Sequence, residues 1–95
     1  MKTENRLRLR IHTAEAHRID GRPAHAYILQ AAFDHGLAGA TVIRGIAGFG
    51  RAHRVHTSKV LDLSNDLPLV VEVIDIPSSI ETFAASIRSV YPHGL

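Results

Sequence analysis

Residues 69–74, Leu-Val-Val-Glu-Val-Ile, are an almost uninterrupted run of aliphatic side chains. The run predicts a strand that is covered on both faces, because a strand with one wet face alternates polar and apolar residues. The one charged side chain in it, Glu72, is expected to pair with a basic side chain across the sheet. The rest of the chain is then expected to supply the neighbouring strands and the helices that cover them.

A second strand is predicted at residues 6–13, where apolar and basic side chains alternate strictly. Its two faces consist of Leu7, Leu9 and Ile11 on one side and Arg6, Arg8, Arg10 and His12 on the other. Such alternation is typical of a strand with one buried face. We predict that Glu72 pairs with one of the three arginines. A face that carries these charges beside Val70 and Ile74 is typical of a subunit interface, so we expect an oligomer.

Two helices are predicted from apolar side chains at helical spacing. The first follows Asp20, which is expected to cap it, and Pro23 is tolerated in its first turn. Gly36 is expected to end it, since glycine readily adopts the left-handed conformation that follows a helix. The second helix follows the apolar strand, with Ser78 and Glu81 as a predicted capping box.

Between these helices lies a third predicted strand, residues 40–47, with Gly45 and Gly48 marking a bend or a close backbone approach. A loop at 48–54 and a weakly alternating stretch at 55–63 then predict a long hairpin. The resulting order of strands and helices matches five of the six elements of the ferredoxin-like βαββαβ arrangement. The fold class is therefore predicted as α+β, an antiparallel sheet with two helices on one face. The last strand is expected to be missing, or donated by another subunit.

Composition excludes several classes of function. The 95 residues, positions 1–95, are expected to form one domain, and the formal net charge of only +2 argues against a nucleic-acid polycation. Two tyrosines and three phenylalanines are too few for a base-stacking platform. Cysteine is absent, and no apolar run is long enough for a membrane span. We therefore expect a cytoplasmic protein that makes no direct contact with nucleic acid.

The clearest functional signal is a basic stretch around Gly48-Phe49-Gly50-Arg51. No acidic side chain occurs between Asp34 and Asp62. Glycines next to arginines allow backbone N–H groups and guanidinium groups to approach an anion together. The alternative is a tight turn with a solvated arginine. The candidate ligand-binding residues are Arg44, Gly45, Gly48, Gly50, Arg51, His56 and Thr57.

Several short motifs follow one another along residues 6–90. They are Gly21-x-Pro23, Gly36-Leu37-Ala38-Gly39-Ala40-Thr41-Val42, Arg44-Gly45-Ile46-x-Gly48-x-Gly50, His56-Thr57 and Asp66-Leu67-Pro68. This series resembles a PII-like family known as domain of unknown function 190, and the Gly-Phe-Gly-Arg segment also resembles the PII signal-transduction proteins. In PII proteins that segment opens a long hairpin called the T-loop, a His-Thr pair lies inside it, and a Leu-Pro pair opens the next strand.

The resemblance implies a homotrimer of ferredoxin-like subunits that binds a small anionic ligand, often an adenine nucleotide, in clefts between subunits. The T-loop, here residues 48–67, would change shape and contact a partner, with a membrane transporter or an enzyme as candidates. By position, Gly48, Gly50 and Arg51 correspond to the base of the T-loop, where PII proteins contact phosphates. Two features depart from PII proteins. The second phosphate-binding loop after the second helix is lacking, and no tyrosine occurs within the T-loop.

Two other classes of function compete with this hypothesis. His53 and His56 are spaced to share a metal ion, which makes a histidine-based trimeric metal-binding protein the alternative. A purely structural subunit is the third hypothesis. Catalysis would require His56, Ser58 and a distant Asp to assemble, and no motif supports this. We therefore predict no enzyme activity, no catalytic residues, no resident metal and no cofactor apart from a nucleotide ligand.

Overall fold

The computed structural model describes residues 5–49, 56–57 and 67–92 of the chain. The described elements are β1 (Leu7–Ala14), β2 (Arg18–Ile19), β3 (Arg22–Pro23), α1 (Ala24–Asp34), β4 (Gly39–Arg44), β5 (Ala47–Gly48), β6 (His56–Thr57), β7 (Pro68–Asp75) and α2 (Pro77–Val90). They contain the predicted succession of strand, helix, strand, hairpin, strand and helix. A short additional hairpin, β2–β3, separates β1 from α1.

Three strands form the main sheet in the order β1–β7–β4, and both outer strands run antiparallel to β7. The apolar run at 69–74 thus lies in the central strand. Ile11, Val71 and Val42 lie opposite one another across the sheet. Among the described residues no strand follows α2, so β1 and β4 form the two edges. This arrangement confirms the predicted α+β, ferredoxin-like fold.

Both helices pack on one face of the main sheet, as predicted. The side chains at the centre of this core are Ile11, Val71 and Val73 from the sheet and Ile28, Phe83 and Ile87 from the helices, all 0–1% exposed. Burying one such side chain contributes roughly 1.5–3 kcal/mol. The helix-covered face is therefore the main source of stability within a single chain.

The opposite face of the sheet carries charges, and neither of the two described helices packs on it. Glu72 on β7 accepts a hydrogen bond from Arg10 Nε at 3.1 Å and lies 3.5 Å from Arg8 Nε. Arg6 lies 3.7 Å from Asp75. The prediction that Glu72 pairs with one of these arginines is therefore confirmed, and two of them share its carboxylate. These arginine side chains are about half exposed, so each pair contributes well under 1 kcal/mol after solvent screening.

The predicted start of the first helix is wrong, and its predicted end is confirmed. Asp20, at φ 50°, and Gly21, at φ 75°, form the turn of the β2–β3 hairpin, and no side chain caps α1, which begins after Pro23. Gly36 has φ 71° and its N–H donates to Phe33 O, while Leu37 N–H donates to Ala32 O. This pair of hydrogen bonds is the Schellman arrangement that ends many helices at glycine.

The predicted capping box of the second helix is also wrong. α2 begins at Pro77, so Ser78 already lies inside the first turn and cannot act as its N-cap. Proline is pre-organised for the first helical position because its φ is fixed and it has no N–H to satisfy. The nearby Asp75 accepts a hydrogen bond from Ile76 N–H at 2.7 Å instead.

A candidate ligand cavity at the base of the loop

The strand predicted at 40–47 is two strands, because the backbone breaks at Gly45. β4 ends at Arg44, and Gly45 N–H donates to Pro68 O at 2.7 Å. A Cβ atom built on Gly45 would lie 2.8 Å from Pro68 Cγ, and one on Gly48 would lie 3.1 Å from the same atom. The predicted close approach is thus confirmed at both glycines: a Cβ atom on Gly45 would force Pro68 to shift, and one on Gly48 would press on the same ring.

Beyond this contact the chain leaves the sheet as a two-stranded arm, β5–β6. Ala47 lies opposite Thr57, and Gly48 lies opposite His56. The arm therefore brings two predicted binding residues, His56 and Thr57, beside Gly48 in the backbone pairing. Gly50 and Arg51, together with residues 58–66 of the predicted T-loop, lie outside the described residues, so their part in the site stays a prediction.

Arg44 has an acidic partner that lies far from it in the sequence. Its Nε lies 2.9 Å from Glu15 Oε1, in the segment that follows β1, and its side chain is 66% exposed. Residues 35–61 contain no acidic side chain, but the fold places Glu15 beside Arg44. Arg44 remains open to solvent, but Glu15 already offsets part of its charge.

A cavity of about 570 Å³, open to solvent on one side, adjoins the two glycines and Pro68. Its floor is the row His12, Val70 and Ile43, which lie opposite one another on the face of the sheet without helices. The walls are mainly apolar. The lining residues in the described part of the chain are His12, Thr13, His17, Ile43, Gly45, Ala47, Gly48, Phe49, Pro68, Val70 and Tyr91.

The polar groups of the cavity form a chain of hydrogen bonds at the end of β1. Tyr91 OH donates to Thr13 Oγ1 at 3.1 Å, and His17 Nδ1 lies 2.5 Å from Tyr91 OH. Thr13 is 7% exposed and Tyr91 is 6% exposed, whereas His17 reaches solvent. Thr13 is the one buried polar residue among those described.

Sequence patterns did not identify these three residues as part of the site. Tyr91 continues the apolar stripe of the second predicted helix, and Thr13 ends an alternating strand. Both patterns predict a packing role in the core and no role in binding. His17 and Tyr91 are separated by 74 positions, and no local pattern links residues at that distance. Only the packing of α2 on β1 brings them together.

No carboxylate lines the cavity within residues 5–49 and 67–92, and two histidines do. The nearby acidic side chain, Glu15, is engaged with Arg44. An anionic ligand would therefore meet basic and hydroxyl groups without direct repulsion from a lining acid.

The metal-binding alternative receives no support from the described residues. They contain no group of three or more histidine, cysteine, aspartate or glutamate side chains that could hold a metal ion. His53, which the alternative requires, lies outside them. Likewise, none of the helices described is both long and apolar enough to cross a membrane.

The fold is similar to that of a solved PII protein. The structure of CPII bound to ADP and bicarbonate, from Thiomonas intermedia K12, superposes with a TM-score of 0.59, covering 98% of this chain and 83% of that chain. The two sequences are 12% identical, so this likeness concerns the fold.

Among the sequence relatives of this chain are UPF0166 proteins. A UPF0166 protein from Aquifex aeolicus is 39% identical over 88 residues, covering 93% of this chain and 84% of the relative. A UPF0166 protein from Methanocaldococcus jannaschii is 32% identical over 72 residues, covering 76% of this chain and 66% of the relative. The family model DUF190, described as an uncharacterized ACR, matches residues 6–95, and this chain therefore belongs to the DUF190 family.

Proposed function

We propose that this protein is a PII-like regulatory protein that binds a small anionic metabolite at the base of its 48–67 loop. Adenine nucleotides are the first candidate ligands. The proposed assembly is a homotrimer in the cytoplasm, with the ligand held in the cleft between subunits. The loop passes the signal to a protein partner, either a membrane transporter or an enzyme. The protein acts by binding, without catalysis and without direct contact to nucleic acid.

The position of the cavity is the observation that carries this proposal. The same residues, Gly45 and Gly48, line the cavity and hold the start of the β5–β6 arm against Pro68. A ligand in the cavity therefore touches the point from which the loop departs. Ligand contacts at such a point favour one arrangement of the loop over others. A partner protein that binds only one of these arrangements then responds to the ligand.

The chemistry of the cavity fits a ligand with an apolar ring system and an anionic group. Ile43, Pro68 and Val70 offer apolar surface, while hydroxyl and imidazole groups gather at one end. Small-molecule sites are commonly built in this way, with few polar groups in an apolar pocket. The solved CPII protein is bound to ADP and bicarbonate, which makes both molecules suitable probes for this chain.

The uncovered face of the sheet supports the proposed assembly. Val70 and Ile74 are half-buried there beside the arginine–glutamate pairs, and Ile43 is 47% exposed. Apolar surface mixed with paired charges is typical of an interface between subunits. The cavity opens on this same face, so a neighbouring subunit on it would complete the cavity wall.

A thermal-shift experiment on the whole protein tests the proposal. ATP, ADP, AMP, bicarbonate and divalent metals are added separately, and binding to the native state raises the melting temperature. We expect a nucleotide to raise it, and Arg51→Ala to remove the effect. The matched control is Arg88→Ala, an exposed arginine on α2 that does not line the cavity.

Two outcomes would contradict the proposal. If zinc or copper raises the melting temperature and no anion does, the histidine-based metal protein becomes the better hypothesis. If none of the probes acts, a structural subunit is favoured. Sedimentation analysis of the same sample measures the proposed trimer independently.

A further inference from the structure

Glu15 contacts the chain on both sides of the loop at 48–67. Its backbone N–H donates a hydrogen bond to Leu67 O at 3.1 Å, on the last residue of the loop. Its carboxylate oxygen Oε1 lies 2.9 Å from Arg44 Nε, on the last residue of β4 before the chain leaves the sheet. One residue from a third segment of the chain therefore joins the place where the loop departs to the place where it returns.

These two contacts belong to a closed ring of interactions. Gly45, which follows Arg44, donates its N–H to Pro68 O at 2.7 Å, and Pro68 follows Leu67. The ring thus runs from Glu15 through Leu67 and Pro68, on through Gly45 and Arg44, and back to Glu15. Two of its non-covalent contacts join backbone groups, and the ion pair between Arg44 and Glu15 closes it through side chains.

The position of Glu15 is well fixed, and its carboxylate needs a cation. His17 N–H donates to Ala14 O at 3.1 Å, so residues 14–17 form a β-turn that includes Glu15. The carboxylate is 26% exposed as a whole, but its Oε1 atom is buried and accepts no hydrogen bond from the described residues. A buried carboxylate oxygen is costly unless a positive charge lies beside it, and Arg44 supplies that charge.

The ring adjoins the cavity through its backbone. Gly45 and Pro68 belong to both, while Glu15 and Arg44 stay outside the described lining. Thr13 also lines the cavity, two positions before Glu15 in the chain. A ligand in the cavity therefore meets the ring at Gly45 and Pro68 and not at the ion pair.

We propose that Glu15 is a positioning residue for the ligand site and acts through Arg44. Its carboxylate closes the ring, and the closed ring holds Gly45 and Pro68 in the arrangement that the ligand meets. Ligand binding and ring closure are then linked, so each stabilises the other. This inference rests on the proposed function, because it concerns the same cavity. It gives Arg44 an indirect part in binding in place of direct contact with the ligand.

A double-mutant cycle on the ion pair tests the proposal. The affinity for ADP is measured by calorimetry for wild type, Glu15→Gln, Arg44→Gln and the variant with both substitutions. We expect each single substitution to weaken binding about two- to fivefold, the size typical of a partly exposed ion pair, and the double variant to bind no more weakly than the weaker single variant. A direct effect of charge on the anion would differ in sign, because Glu15→Gln would then strengthen binding while Arg44→Gln weakened it.

Amide hydrogen exchange separates this role from a general loss of stability. In Glu15→Gln the amide of Gly45 is expected to exchange about two- to fivefold faster, because the ring is open. The amides of Val71 and Val73 in the central strand should keep their wild-type rates, since their exchange reports unfolding of the core. Arg44→Gln carries the same test if Glu15→Gln does not fold.

Glu81→Gln is the matched control for these measurements. It removes an exposed carboxylate on α2 that belongs neither to the ring nor to the lining of the cavity. It should leave the affinity for ADP and the exchange rate of Gly45 unchanged.

The outcomes distinguish failure of the positioning role from failure of the proposed function. If ADP binds and Glu15→Gln binds it as tightly as wild type or more tightly, the positioning role is overturned and the proposed function stands. Unchanged exchange at Gly45 in both single variants also overturns it, and so does equally faster exchange at Val71 and Val73. If ADP, ATP, phosphate and bicarbonate all leave the amide NMR signals of Gly45 and Gly48 unchanged, the proposed function fails and the positioning role fails with it.

Discussion

The two faces of β7 have similar sequences but different surroundings. Leu69, Val71 and Val73 point toward the helices and are 0–3% exposed. Val70 and Ile74 point the other way and are only half-buried, although they are equally apolar. The strand therefore carries more apolar side chains than the described part of the chain buries. This difference supports the proposed oligomer, in which other subunits cover the second face.

The two faces of the sheet also differ in the charged side chains that they carry. The helix-covered face has no charged side chain among its described buried residues, and the hydroxyl groups of Thr13 and Tyr91, which are buried there, are hydrogen-bonded to each other. The open face gathers Glu72 with Arg8 and Arg10, all in contact with solvent. A charge is tolerated there because it is paired and partly hydrated, whereas an unpaired buried charge would cost several kcal/mol. The cavity lies at the end of the open face.

The largest expected effect comes from the covered face. Phe83→Ala removes a ring that is fully buried, and we expect it to lower the free energy of unfolding by about 3–5 kcal/mol. The matched control is Phe33→Ala, since Phe33 is 80% exposed and should change stability by about 0.5 kcal/mol or less. Urea unfolding measures both. Equal losses of stability at the two positions would contradict the conclusion that the helix-covered face holds the stabilising core.

A smaller effect is expected where the sheet meets the arm. Gly45→Ala places a methyl group against the Pro68 ring, and we expect it to cost about 1–3 kcal/mol and to weaken ligand binding. Gly39→Ala is the control, because nothing lies within 4 Å of its added Cβ. Thermal unfolding and ADP titration of both variants check this. If Gly45→Ala keeps the wild-type melting temperature and affinity for ADP, the start of β7 can shift at Pro68 at little cost in free energy.

The smallest effect on stability is expected on the open face. Glu72→Gln removes the shared carboxylate of Arg8 and Arg10, and we expect a loss of about 0.5–1 kcal/mol that shrinks at high salt. Assembly, followed by sedimentation, should weaken more than folding if the pairs lie in an interface. Glu81→Gln on the exposed side of α2 is the control. Unchanged melting and assembly in Glu72→Gln would remove the structural role assigned to these pairs.

Much of the fold could be predicted because its signals are local. Strict alternation at 6–13 and the apolar run at 69–74 each require a strand, and Gly36 ends a helix through its own backbone preference. The helix starts were harder to predict. At Asp20 and Ser78 a favourable capping residue competes with a turn or with a proline that starts the helix elsewhere. Such competition is decided by the surrounding chain.

The candidate site was predicted only in part, for the same reason. Gly45 and Gly48 were identified because glycines near a strand end signal close approach, and both line the cavity. Glu15 was missed as the partner of Arg44, and so was the group Thr13, His17 and Tyr91. Their meeting depends on long-range packing, which side-chain spacing along the chain does not encode.

The sequence by itself determined the strands of the sheet, the close approach of the loop base and the family, because these depend on periodicity, glycine and ordered motifs. Only the tertiary structure decided which face of the sheet the helices cover and where the cavity lies. It alone placed Tyr91, which directly follows α2, on Thr13 of β1. The physical reason is that backbone preferences act between neighbours in sequence, whereas a binding surface is made by side chains that become neighbours only after the core has packed.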